Sequence, residues 1–319
     1  MRLRGLSEAS MVDYLFIALY VLATATAYSA VFVNVKFHDA SANLITFSTF
    51  LVCWGVFLAL NRRRLGVLLS VVRASPGNVF AINLSTLLSW LGMFWCLKFV
   101  SASVESLIYM SIIPLVSMIV GRQWGDAGPA GRVGVLTIAV AALLVAYQNP
   151  SMHEIAADGQ MVGVLLALGA GACGGVYIVA SSRAQRKHAL TANDLICIRL
   201  PLLLLATAAL SAPEWHKFGS ADFLQKAVLL SATAVMIPSY MLQQSIIRLG
   251  GVRTSVLVPF VPVLAMALEL REGFEFNLRA GLLLGLQCAA MMYVSVLLAR
   301  RKDELARVTA GSKTGVATR

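Results

Sequence analysis

Long apolar runs alternate with short polar breaks along almost the whole chain. The runs fall at about 14–35, 43–60, 77–98, 102–121, 132–148, 161–181, 194–211, 223–247, 253–270 and 280–299. A helix needs roughly 17–25 apolar residues to cross a bilayer, and most of these runs are that long. Strands of a membrane barrel would instead show polar–apolar alternation over about 10 residues, a pattern the runs lack. The polar and apolar positions therefore predict an all-α integral membrane protein with ten transmembrane helices. The break between the last two spans is the short segment Arg271–Phe276, REGFEF.

Two stretches follow one plan. Residues 97–116 read LKFVSASVESLIYMSIIPLV and residues 245–264 read SIIRLGGVRTSVLVPFVPVL. Each closes one apolar run, crosses a few small residues and opens the next run. Pro114 then aligns with Pro262, and Glu105 with Arg253. The same offset lays 14–35 on 162–183 and 133–148 on 281–296. Each copy holds an odd number of spans, so the second must enter the membrane from the opposite side. The expectation is two inverted five-helix repeats about a pseudo-two-fold axis in the membrane plane, a plan common among secondary transporters. The first repeat is expected at 1–148 and the second at 161–300. An external linker is expected at 149–160, and a cytoplasmic, disordered tail at 301–319.

Composition agrees with the pattern. Hydrophobic residues make up 59% and charged residues 13%, against roughly 45–50% and about 25% in soluble domains. The net charge of +11 does not point to nucleic acid, because the basic residues are distributed over alternate loops. With the N-terminus inside, about 20 Lys/Arg fall on the cytoplasmic side and about six outside, the positive-inside bias. The expected location is the cytoplasmic (inner) membrane, multi-pass, with both termini cytoplasmic. The start, MRLRG followed by YLFIALYVL and Ala25-Thr26-Ala27, has the look of a signal peptide. Its apolar run continues to Val35, however, and has a repeat mate, so it reads as an uncleaved first span. Cys53, Cys96, Cys173, Cys197 and Cys288 all lie in apolar runs without a CxxC partner and read as buried small residues.

LKFVSASVESLIYMSIIPLV followed by GRQWGDAGPAGRVGVLTIAVAALLVAY, together with SIIRLGGVRTSVLVPFVPVL in the second half, resembles the EamA-like branch of the drug/metabolite transporter superfamily. The resemblance runs from about residue 13 to 300. It departs in two places. Gly121-Arg122 stands where the family often has Gly-Glu, and LITFSTFLVCWGV in the second span lacks the arginine that is frequent there. Arg199 matches that arginine's position type in the seventh span. The resemblance implies a helical bundle around a central cavity lined by spans one, three, four, six, eight and nine. It also implies solute transport by alternating access without ATP hydrolysis.

Polar groups within a bilayer are costly and need partners or water. Asn83, Thr86 and Trp90 share one helical face of span three. Thr233, Tyr240 and Gln244 do so in span eight, with Pro238 and Gln243 beside them. Span one carries Tyr20, Thr24 and Tyr28, and span four carries Tyr109. Together these are expected to line a cavity of aromatic platforms and neutral donors and acceptors. Substrate binding is accordingly placed on Tyr20, Thr24, Asn83, Thr86, Trp90, Tyr109, Tyr240, Gln243 and Gln244. Glu105 is the candidate coupling group for a proton, and the competing reading is that it snorkels outward or pairs with Lys98. Arg253 either attracts an anion or obeys the positive-inside rule. Pro114 and Pro262, with Pro259, predict bent helices able to gate. Arg199 is expected to snorkel to the inner surface. With so little charge facing the cavity, phosphorylated or multiply charged substrates are disfavoured.

Other chemistry lacks its parts. The histidines sit in loops or at span ends, and the chain has no HExxH, no GxSxG and no paired aspartates at membrane depth. Gly169–Gly174 fits GxGxxG in letters only, since no strand precedes it. Gly171 and Gly175 read as a close-packing stripe. The chain is thus expected to be a secondary transporter of a small organic solute, not an enzyme, with no cofactor and no metal. Its partners would be the solute and the lipid bilayer. The alternatives are a lipid or lipid-linked-sugar flippase and an intramembrane enzyme. Small residues on spans five and ten either offer a homodimer seam or pack within the bundle.

Overall fold

The computed structural model describes residues 11–37, 40–100, 102–125, 127–148, 157–269 and 278–314. Among the described residues every regular element is a helix. In chain order they are α1 (Met11–Phe37), α2 (Ala42–Leu60), α3 (Leu65–Ala74), α4 (Pro76–Cys96), α5 (Ala102–Val120), α6 (Gly128–Tyr147) and α7 (Ala157–His188). There follow α8 (Ala192–Arg199), α9 (Pro201–Ser211), α10 (Ala221–Leu230), α11 (Ile237–Leu249), α12 (Gly251–Leu257), α13 (Phe260–Glu269) and α14 (Leu278–Thr314). Among the described residues seven helices are long and apolar enough to cross a membrane. Three shorter apolar helices, Met11–Thr26, Val104–Val120 and Gly251–Met266, lie where spans one, four and nine are expected. The chain is an all-α membrane protein.

The helix boundaries have local causes. Ser41 accepts from the Leu44 N–H at the start of α2, and Ser220 does the same for Phe223 at the start of α10; each fills one of the orphan donors of a first turn. Proline opens α4 and α9, where its missing N–H is no loss. Helix α14 runs on to Thr314, through much of the segment expected to be a disordered tail. Its sequence there, ARRKDELARV, is rich in strong helix formers, so the last span continues as helix beyond its apolar part. The linker expected at 149–160 falls mostly outside the described residues, and α7 already begins at Ala157.

The outer surface is apolar, and some polar side chains are enclosed within a largely apolar core. Large apolar side chains such as Val133, Val140, Leu165, Leu205 and Leu282 point outward. Thr46, Ser48, Glu105, Arg199, Gln243 and Gln287 are enclosed. That is the distribution expected where the surrounding solvent is lipid. Helix α7 packs along α4 and α5, while α1 packs along α11 and α13. Helix α6 pairs with α14, α2 with α9, and α5 with both α12 and α13.

The α5–α7 contact is close because α7 presents glycine to it. A Cβ on Gly171 would stand 2.1 Å from Ile112 Cγ2 and 2.3 Å from the Tyr109 carbonyl oxygen. One on Gly175 would meet Val116 at 2.8 Å and the Ile113 carbonyl at 3.0 Å. The Ser117 hydroxyl completes this seam by donating to the Gly175 carbonyl at 3.3 Å. Helices α5 and α14 are joined by Gln287, whose amide donates to Ser111 Oγ at 3.0 Å.

Helix α2 and the α8–α9 segment are fastened at both ends. At one end Glu214 accepts from the Ser41 N–H at 3.0 Å and from Lys217 at 2.8 Å, with Phe47 stacked on Trp215. At the other end Arg64 grips Asp194 through Nε at 3.1 Å and Nη2 at 2.9 Å. Asp194 is 0% exposed and also forms a reciprocal capping box with Thr191 at the start of α8. Removing the carboxylate with Asp194→Ala strips four donors of their acceptor: Arg64 Nε and Nη2 and the Thr191 N–H and hydroxyl. Loss of about 1–3 kcal/mol is expected, read as a lower thermal midpoint of the purified protein. An unchanged midpoint would refute this account of α8.

Candidate functional site

The site is built on a break in the seventh span. Pro201 has no N–H to give to the Cys197 carbonyl, and that carbonyl accepts instead from Trp54 Nε1 at 3.1 Å. One residue along, the ladder bond that would join Leu202 N–H to the Ile198 carbonyl is replaced by a side chain. The Asn83 amide lies between them: its nitrogen donates to the Ile198 carbonyl at 2.7 Å and its oxygen accepts from Leu202 N–H at 3.2 Å. The backbone groups freed by the break are thus satisfied by α2 and α4, as burial requires.

Arg199 is the last residue of α8, directly before this break. It is 2% exposed and does not snorkel. Its Nη1 donates to the Tyr177 hydroxyl of α7 at 2.7 Å, and its Nη2 to Ser239 Oγ of α11 at 2.6 Å. The Gln243 amide of α11 donates to the same Tyr177 oxygen. Arg199 Nε and Gln243 Oε1 are buried without a partner. Among the described residues no carboxylate lies within ion-pair distance of Arg199. The guanidinium also lies within electrostatic reach of Tyr20 and Tyr109. This corrects the expectation that Arg199 snorkels to the inner surface. A salt-bridge network or the membrane surface would have been the usual destination for such a side chain, and the Pro201 break turns it inward.

The expected residues divide into those brought together here and those used elsewhere. A single buried cluster contains Tyr20 and Tyr177, and Trp54, Trp90, Tyr109 and Tyr240 pack against it half-buried. Tyr20 and Thr24 are buried on α1; the side chain of Tyr28 lies outside the described residues. Trp90 meets Phe50 edge-on at 4.7 Å and stacks on Phe94. Tyr109 shares a hydrogen bond with Ser89 at 2.9 Å. Thr86 is buried with its hydroxyl unbonded. Tyr240 stacks on Phe57 and accepts from Gln244 at 2.9 Å. Asn83 is committed to the backbone break, so its amide is a splint and not a free ligand group.

Thr233 is exposed, and its hydroxyl bonds back to the Leu229 carbonyl at 2.9 Å. It does not share a face with Tyr240. Residues Ser231–Met236 form a π-helical turn, and the extra residue in that turn breaks the spacing that would carry one face across it. Glu105 is 0% exposed in the first turn of α5, where the helix dipole favours a carboxylate; it does not reach outward. Arg253 donates to the Leu298 carbonyl at 3.0 Å and so ties α12 to α14. Pro114 is buried inside a continuous α5. Pro262 sits in the first turn of α13, where it removes no helical bond. The interruption of span nine is at Val258 and Pro259, between α12 and α13.

No family model matches the chain, and no curated protein matches it. A solved structure described only as "Crystal structure of protein" is similar in fold. It is 24% identical, with a TM-score of 0.59, over 93% of this chain and 99% of that one. The two chains therefore share a fold over almost their full lengths.

Sequence reasoning missed Tyr177, Ser239 and Trp54 at this centre and Gln287 at the α5–α14 seam. Gln287 and Tyr177 had a readable signal, since each is an isolated polar group in an otherwise apolar span. The partnership of Arg199 with α7 and α11 had none, because it joins three segments distant in sequence.

Proposed function

We propose that this protein is a secondary transporter that moves a small organic solute across the cytoplasmic membrane by alternating access. On this reading it has ten transmembrane segments in two inverted five-helix repeats of the drug/metabolite transporter type. Both termini are cytoplasmic and export is the direction. The observation that carries the proposal is the convergence of buried polar and half-buried aromatic groups from both halves on one cluster. Tyr20, Trp54, Trp90 and Tyr109 come from the first half; Tyr177, Arg199, Ser239, Tyr240 and Gln243 come from the second. Midplane sites at repeat interfaces, flanked by interrupted helices, are the common plan of such carriers.

The packing supports the repeat. Exchanging each span with its mate turns the α7 contacts with α4 and α5 into the α1 contacts with α11 and α13. It returns the α6–α14, α2–α9 and α5–α12/α13 pairs to themselves. A two-fold relation has this property. Since α2 and α8–α9 are fastened at both ends, they move as one body, and rocking falls to the α1 and α7 bundles.

Comparative metabolite profiling of medium and cytosol tests the function. Cells carrying the wild-type chain are expected to release at least one compound that control cells retain. In cells with Glu105→Gln, that release is expected to lose its dependence on the proton gradient. If the medium and cytosol are identical with and without the chain, export is wrong. If release occurs and is equally gradient-dependent in the variant, Glu105 is not the coupling group.

A further inference from the structure

We infer that the solute is an organic monoanion, a carboxylate on an aromatic or apolar body, and that Arg199, Gln243 and Tyr177 hold its charged end. The inference rests on the transporter reading given above and specifies its substrate.

Three features lead to it. First, Arg199 is a buried guanidinium with no carboxylate partner among the described residues. Enclosing a cation without a counter-charge is unfavourable unless another function keeps it there. Second, its two bound acceptors are only hydroxyls, and a guanidinium carries more N–H donors than they use. Nε is among the unused ones. Third, two donors from different helices, Arg199 Nη1 and the Gln243 amide, converge on one oxygen, that of Tyr177. Donors from separate helices aimed at one acceptor make an oxyanion position, and here a phenol oxygen occupies it. An incoming carboxylate is a stronger acceptor than a phenol. It would take these donors, and the Tyr177 hydroxyl would then turn its proton towards the ligand.

The surroundings set the rest of the molecule. Trp54, Trp90, Tyr109 and Tyr240 pack half-buried against the cluster, and aromatic surroundings of this kind suit a flat or apolar body. Among the described residues Arg199 is the enclosed cation without an ion pair, and it matches one negative charge. A dianion would bring a second charge into the bundle, where Arg253 is engaged with the α14 backbone.

The test uses the purified full chain in detergent and matched probes. These are phenylacetate, 3-phenylpropionate and benzoate, their neutral amides, and phenethylammonium. Binding is read by thermal shift and titration, and transport by counterflow of the labelled carboxylates and amides in proteoliposomes. At least one carboxylate is expected to raise the midpoint while its amide does not. Arg199→Gln is expected to weaken that binding by about tenfold or more, and Arg199→Lys to retain part of it. Gln243→Glu provides a fold-preserving second test. It places a carboxylate against Arg199 from within, so the protein should remain folded and lose the ligand-dependent shift.

An amide or the ammonium compound binding as well as its carboxylate overturns the inference, as does unchanged binding in both Arg199→Gln and Gln243→Glu. So does the failure of every carboxylate to shift the wild type. If the amides then show counterflow, the transporter reading survives without the anion site. Arg199-dependent carboxylate binding with no counterflow leaves the anion site standing and removes the transporter reading.

Discussion

Gly171→Ala is expected to cost the fold about 3 kcal/mol, at the upper end for overpacking, and to abolish the proposed transport. The added methyl would stand 2.3 Å from the Tyr109 carbonyl oxygen. A carbonyl in the middle of a helix cannot swing aside as a side-chain tip can, so α5 and α7 must separate. Helix α5 carries Glu105, Tyr109 and Pro114, and α7 carries Tyr177. Separation therefore moves the site as well as loosening the bundle. The control lies on the same helix. A Cβ on Gly169 meets nothing within 4 Å, so Gly169→Ala should be neutral or stabilise by up to about 1 kcal/mol through helix propensity. Thermal midpoints of the two variants beside wild type decide the matter. If they fall together, the close approach at Gly171 is not what limits this interface.

Asn83→Leu is the second large effect. The substitution preserves size and apolarity but leaves the Ile198 carbonyl and the Leu202 N–H inside the bundle without partners. Each orphaned group costs about 1–3 kcal/mol, so a loss of about 2–6 kcal/mol is expected from the two. The backbone around Arg199 would then either close into a continuous helix or open further. Either movement shifts the guanidinium from Tyr177 and Ser239, so the proposed carboxylate binding should weaken along with stability. Asn83→Asp keeps the acceptor for Leu202 and loses the donor to Ile198; its stability should lie between that of Asn83→Leu and that of wild type. Thermal unfolding of both variants, with carboxylate titration, checks the order. Equal stability of all three proteins would show that the break needs no splint.

Much of this architecture was legible beforehand, for identifiable reasons. Apolar runs of crossing length place helices because a bilayer leaves backbone groups no other way to be satisfied. Of the prolines read as bends, Pro259 marks a true interruption because proline lacks the N–H a ladder needs, whereas Pro114 lies inside a continuous α5. The break at Pro201 was not read, since proline is equally at home at a helix start. Gly171 and Gly175, one helical turn apart, mark a face of close approach, and α5 lies against it. Tyr20, Trp90, Tyr109 and Gln243 were read as facing inward, and each belongs to or packs within the enclosed interior.

The remainder depended on long-range contacts. Asn83 looked like a ligand group and proved to be the bridge across a broken helix, which requires knowing that α4 passes beside α8 and α9. Thr233 left the expected face because a π turn is a property of backbone packing around it and not of local composition. The direction of a long charged side chain is the hardest to read. Arg199 and Arg253 each begin near a helix end, and the same stem could carry either head to the membrane surface. Tertiary structure sent one to Tyr177 and Ser239 and the other to the α14 backbone. By itself, then, the amino-acid sequence determined that this protein is a bundle of membrane helices, since hydropathy acts locally. Only the tertiary structure decided which of them break and that Arg199, without a carboxylate partner among the described residues, is enclosed, because its neighbours come from helices that meet only once the bundle has formed.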